Sequence, residues 1–235
     1  LKYIASHMKT ASDLVLADLN FGMFKQDVDV SKILRQVIDE HDWPKSISCS
    51  PGKSQPDRVL ECINIINQGG RGIIKFASSV QSTDATVLDA IKRKNLPSEK
   101  ISGLLKASNR STNNTEYFTE IILALPEDSR KRHYQSLRDS IDTLGMNIIN
   151  VHQLTLLEGS PMALQSQRDL YELDVRYRVF VGCIGEYEVG YSRTVIAESE
   201  EVVVANATMN FQEWLDCRVM SLLVKIYIDR DYFIE

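Results

Sequence analysis

The side chains able to do chemistry cluster where apolar runs end. "LVLADLNFG" closes on Asp18 and Asn20 beside Gly22, and "SISCSPGK" on Ser50 and Lys53. "IIKFASSVQS" closes on Ser78, Ser79, Gln81 and Ser82. "IILALPEDS" passes through Leu125 and Pro126 to Glu127 and Asp128, and "NVHQLTLLEG" carries His152, Gln153 and Glu158. Hydroxyls, amides and carboxylates of this kind bind and orient a small polar ligand. They do not form a set of nucleophile, base and orienter. HExxH, GxSxG, GxGxxG and GxxxxGK stretches are all missing from the sequence. Cys49, Cys62, Cys183 and Cys217 are far apart and form no CxxC pair, which points to reduced thiols rather than a disulfide framework or a metal site.

Each of these residues also has a plainer reading. Asp18 and Asn20 suit a turn, and Asp128 with Ser129 suits a helix start. Lys53 suits a solvated surface. His152 and Gln153 are adjacent on a strand, so only one of them can face inward; Gln153 faces inward if His152 faces out. His7, His41 and His133 stand in polar surroundings and read as surface residues. "EDSRKRHYQSLRD" reads as a solvated helix face.

The elements that would position these groups alternate along the chain. Apolar, β-branched stretches are predicted as strands at "LVLADLNF", "SISCS", "RGIIKFASSV", "YFTEIILALP" and "NIINVHQLTL". Helices are predicted between them. "DVDVSKILRQVIDEHDW" places Val30, Ile33, Leu34, Val37 and Ile38 on one face. "PDRVLECINIINQGG" has proline at its start and glycine at its stop. "DATVLDAIKRKN", "SEKISGLLKASNRS" and "EDSRKRHYQSLRDSIDTLG" follow. Repeated β-α units of this kind build a parallel sheet, closed or open. After Pro161 the pattern changes to short strands and a final helix opening at Asn210. Net charge is −5 and no apolar run approaches a membrane span, so neither nucleic acid nor a membrane is expected as a partner. A cytoplasmic protein is expected.

Four stretches then carry a resemblance, in order and spacing. "ADLNFGMFKQD", "FASSVQSTDATVLDAIKRKNL", "TEIILALPEDS" and "LTLLEGSPMA" resemble the segments after strands two, four, five and six of radical S-adenosylmethionine enzymes, in the branch that often carries a cobalamin-binding domain. The resemblance implies an α/β fold: a partial (β/α)6 TIM-like barrel over residues 1–163 with its first strand missing, and a C-terminal α+β extension over residues 164–235. It implies three cofactors: S-adenosylmethionine, a 4Fe–4S cluster and cobalamin. The family's CxxxCxxC stretch is not in this sequence, so the cluster's ligands are expected outside the chain and the chain alone is expected to be inactive. Asp18 and Asn20 fall where the family contacts the methionyl end of S-adenosylmethionine. Ser78, Ser79, Gln81 and Ser82 fall at its carboxylate and ribose, Leu125 and Pro126 near its adenine, and Gln153 on strand six. Lys53 is placed to reach an anionic substrate, a small molecule or a peptide. Ala124 and Glu127 stand where the family has glycines. The exposed edge left by the missing strand implies self-association. A non-catalytic barrel serving as a binding or assembly module is the alternative.

Overall fold

β-Branched and apolar residues recur in the segments that become strands, and a helix follows each of the first four strands. The computed structural model describes residues 1–7, 10–52, 54–70, 72–99, 101, 103 and 117–229. After a short α1 (Lys2–His7), β1 (Asp13–Val15) pairs in parallel with β2 (Ser46–Ser48), Leu14 opposite Ile47. Ile47 in turn forms a parallel bridge with Ile74, and its N–H donates to the Ile73 carbonyl at 2.8 Å. β3 (Phe76–Ala77) pairs in parallel with β4 (Tyr117–Leu123), and β4 with β5 (Ile148–Gln153). Every parallel pairing therefore joins segments that are consecutive in the chain.

The helices lie between these strands. α2 (Gln26–His41) buries Leu34, Val37 and Ile38, and α3 (Pro56–Ile66) buries Val59, Leu60, Ile63 and Ile66. Ile33, expected on the buried face of α2, is 46% exposed; it falls at the edge of a stripe narrower than the sequence pattern suggested. α3 begins at Pro56, where a missing N–H costs nothing. Its C-terminal carbonyls are met by Arg35 of α2. The Arg35 guanidinium is 8% exposed and donates to Ile66 O at 3.0 Å and Gln68 O at 2.9 Å. A cation at a helix C-terminus satisfies orphan acceptors and opposes the negative end of the helix dipole. α4 (Ala85–Ala90) is capped by Asp84, whose carboxylate accepts from Thr86 and Val87. The predicted helix over 98–111 lies mostly outside the described residues. α5 (Arg130–Arg138) runs into a π-helical turn, Asp139–Thr143.

His133, read as a surface residue, is 1% exposed on α5. Its Nδ1 lies 3.5 Å from Asp128 Oδ2, a buried carboxylate that supports the "ALPED" turn. The charged residues around His133 hid the fact that it belongs to the inner face.

The tail is a single antiparallel unit rather than several short strands. After β6 (Thr155–Leu156) and α6 (Gln165–Leu170), the long β7 (Asp174–Val189) and β8 (Ser192–Ala205) form a hairpin, and β6 pairs with the far side of β8. The hairpin register breaks between Val179 and Ile184, around Gly182 at φ +81. α7 (Phe211–Tyr227) opens with a capping box: Asn210 accepts from the Glu213 N–H, and Glu213 accepts from the Asn210 N–H. Just beyond α7, Asp229 accepts from the Ile149 N–H at 3.0 Å, so this end of the chain caps the outer edge of β5. No helix among the described residues is long and apolar enough to cross a membrane.

Candidate functional site

A cleft of about 730 Å³ opens beside the C-terminal ends of β2 and β3. The loop after β2 supplies Cys49, Ser50 and Gly52; the loop after β3 supplies Ser78, Ser79 and Gln81; Phe118 and Glu120 of β4 form the wall between strands. Arg93 and Asn95, beyond α4, close one side.

The polar wall is held by hydrogen bonds. Ser79 Oγ donates to Glu120 Oε2 at 2.7 Å. The Arg93 guanidinium donates to the Ser79 carbonyl at 2.5 Å, and Asn95 Nδ2 donates to the carbonyls of Val80 at 3.0 Å and Ser82 at 2.8 Å. Burial lowers the Arg93 pKa, and the nearby Glu120 carboxylate works the other way. Gln81 has φ 62; its N–H donates to the Glu120 carbonyl at 2.7 Å, and its own carbonyl accepts from Ile122. The loop after β3 is thus tied to β4 backbone beyond the end of its regular pairing. Across β4, His152 Nε2 lies 3.6 Å from Glu120 Oε1.

The opposite wall is set by the turn after β1. Asp18 Oδ1 accepts from the Asn20 N–H at 2.8 Å, an Asx-type turn. Gly22 then takes φ +86, and a Cβ there would lie 2.7 Å from Val59 Cγ2. Asp27, 5% exposed, accepts from the N–H groups of Gly22 at 3.0 Å and Phe24 at 2.9 Å. The buried carboxylate fixes the loop, and the glycine lets that loop lie against α3.

Burial, with the Asp18 charge second, pushes the Cys49 thiol up to about 11, so it stays protonated beside the cleft at neutral pH. Cys217 on α7 is pushed up to about 12, mainly by burial and then by Asp128. Both folded thiols keep a proton that an unfolded thiol, near 9, gives up. Their contribution to stability is complete below pH 9 and is lost as pH rises through 11 and 12. The urea midpoint is expected to fall steadily above pH 9, and Cys217→Ala is expected to flatten that fall. A midpoint unchanged from pH 8 to 11 in the parent protein contradicts this.

No family model matches the chain. The chain is 27% identical over 218 residues to the 2-(S-pantetheinyl)-carbapenam-3-carboxylate methyltransferase of Streptantibioticus cattleyicolor. It is 24% identical over 217 residues to the cobalamin-dependent radical SAM methyltransferase TokK of Streptomyces tokunonensis. Each match covers 92% of this chain and 30% of the relative's length. The chain is thus distantly similar to two methyltransferases, one of them a radical SAM enzyme. It spans under a third of the length of the curated relatives it matches.

The residues expected to bind the cofactor divide into two groups. Ser78, Ser79 and Gln81 line the cleft. Asp18 and Asn20 are exposed and flank Leu19, which does line it. Ser82 turns away: it is 4% exposed, and its hydroxyl lies 3.2 Å from the Ser136 hydroxyl of α5. Leu125 and Pro126 are buried away from the cleft wall, with the Leu125 carbonyl accepting from Asn206 Nδ2 at 2.8 Å. Gln153 is also displaced. His152 shares the Glu120 side of the sheet, so alternation turns Gln153 to the other side, towards Arg178 and Arg218. Lys53 lies outside the described residues. Glu120 and Arg93 were missed. A glutamate at an inner position of the apolar run "YFTEIIL" was the available signal, because a charge inside a strand needs a partner.

Ala124 and Glu127, at the two glycine positions of the family pattern, have φ 66 and φ 64. This left-handed conformation costs an L-residue about 1–2 kcal/mol, partly offset by glycine's larger loss of freedom on folding. Ala124→Gly and Glu127→Gly are each expected to raise stability by about 0.5–1 kcal/mol. A lower denaturation midpoint for Ala124→Gly runs against that expectation.

Proposed function

We propose that this chain holds S-adenosylmethionine for a cobalamin-dependent radical SAM methyltransferase, on a partial (β/α)6 barrel formed by the consecutively paired parallel strands. The observation that carries this reading is the cleft at the ends of β2 and β3, where Ser79, Glu120, Gln81 and Arg93 make one wall and Leu19 and Phe118 add apolar surface. Its volume suits a nucleoside-sized ligand, since such pockets run to about 300–1,000 Å³. The relationship to TokK gives the reading its chemistry. When bound, S-adenosylmethionine supplies an activated sulfonium. The residues here orient it: hydroxyl and carboxylate oxygens face its polar groups, and the apolar wall shelters its rings from water.

Among the described residues no three metal-ligating side chains gather, so these residues do not themselves fit a 4Fe–4S cluster.

The test is anaerobic reconstitution of the full-length protein with iron and sulfide, followed by reduction in the presence of S-adenosylmethionine. Release of 5′-deoxyadenosine that is lost in Ser79→Ala is expected. A folded, reconstituted protein that neither binds nor cleaves S-adenosylmethionine overturns the proposal.

A further inference from the structure

Gln153 occupies an unusual electrostatic position at the junction of β5, β7 and α7. With its amide oxygen turned towards them, it accepts from Arg218 Nη1 at 3.0 Å and Nη2 at 3.3 Å, and from Arg178 Nη1 at 3.3 Å. The opposite orientation would aim the amide NH2 at two guanidinium groups, donor against donor. One neutral oxygen therefore lies between two full positive charges.

The charge there is not balanced. Arg178 also donates through Nε to Glu200 Oε1 at 2.7 Å, which leaves its Nη1 for Gln153. Arg218 stands over the Trp214 ring at 5.9 Å, and among the described residues no carboxylate pairs with it. Arg176, two residues before Arg178 on β7, stands over the Phe211 ring at 5.9 Å. Two guanidiniums face one carboxylate, and a third lies at the rim. Arg178, Arg218 and Arg176 are all exposed, so a ligand can reach them. Guanidinium forks match the planar or tetrahedral oxygens of carboxylate and phosphate, and they bind these far better than a neutral amide.

We propose that Arg178 and Arg218 form an anion-binding subsite, in which a carboxylate or phosphate group displaces the Gln153 oxygen from between the two guanidiniums. The subsite is separate from the cleft at β2 and β3, and it stands whether or not that cleft holds S-adenosylmethionine. Its ligand is the anionic group of a larger molecule approaching from the β7–α7 side.

Inorganic phosphate and acetate are titrated separately into the folded protein by calorimetry at low ionic strength, with chloride as the control. One equivalent of anion is expected to bind. Arg218→Ala is expected to lose at least tenfold in affinity, while Arg193→Ala, on the far end of the hairpin, is unchanged. Tighter binding of phosphate assigns a phosphorylated ligand, and tighter binding of acetate assigns a carboxylate. Gln153→Glu supplies the anion from within, so it is expected to raise the melting temperature and abolish binding of both probes. Equal anion affinity in the parent and Arg218→Ala, absence of binding to the parent, or a lower melting temperature in Gln153→Glu overturns the proposal.

Discussion

Glu120→Ala is expected to lower the affinity for the S-adenosylmethionine proposed to occupy the cleft roughly ten- to a hundredfold, the loss expected for one hydrogen bond to a charged group of about 1.5–3 kcal/mol. Glu120 has two roles in the cleft. Its Oε2 accepts the Ser79 hydroxyl, which fixes that side chain against β4, and its charge faces Arg93. Alanine frees Ser79 and leaves the partly buried guanidinium without its nearby anion. Glu120→Gln keeps the shape and an acceptor for Ser79 but removes the charge. Its loss of affinity is therefore expected to be smaller than that of alanine. Calorimetric titration of both variants, with circular dichroism to confirm folding, separates the positioning role from the charge. Parent-like affinity in folded Glu120→Ala would remove Glu120 from the site.

Gly22→Val is expected to destabilise the fold by about 2–5 kcal/mol, a large part of the roughly 5–15 kcal/mol that holds a domain folded. Two costs add. The φ of +86 disfavours any L side chain by about 1–2 kcal/mol. The new Cβ would also meet Val59 Cγ2 at 2.7 Å and Val59 Cα at 2.8 Å, and overpacking of this kind costs about 1–3 kcal/mol. The α3 backbone this close leaves little room to yield, and any shift of Gly22 also disturbs the two N–H groups held by buried Asp27. Urea denaturation measures the loss. Val59→Ala in the Gly22→Val background should recover only the side-chain part of the clash, because it relieves neither the positive φ nor the crowding against the α3 main chain. Full recovery would show that the backbone contributes nothing.

Most of the element order was legible because the underlying signals are local. The apolar spacing of α2, the proline opening α3 and the Asn210 cap of α7 depend on nearby residues, and these three features stand in the structure. The cleft was legible in part. Ser78, Ser79 and Gln81 follow a strand directly, and their place could be read from that. Ser82 could not be separated from them by spacing, because the turn at Gln81 sends its hydroxyl to Ser136 on α5. His133 went the other way: it looked ordinary among its charged neighbours and was made important by Asp128 across a turn, whereas Glu120 stood out in an apolar run and has its partner Ser79 on another strand's loop. The side taken by Gln153 was left conditional on His152, because alternation fixes two residues relative to one another and leaves the sheet's absolute facing open.

The consecutive pairing of the parallel strands also bears on how the chain reaches this structure. Each strand finds its neighbour in the next β-α unit to be synthesised, so no early strand must wait for a distant partner. A ribosome releasing the chain from its N-terminus delivers these pairings one at a time, in the order in which they are made. The hairpin and α7 emerge after these strands, and Asp229 then caps the Ile149 N–H on an edge already laid down. Assembly from such sequence-local units keeps loop closures short, and it leaves the outer edge of β5 open only until Asp229 has been made.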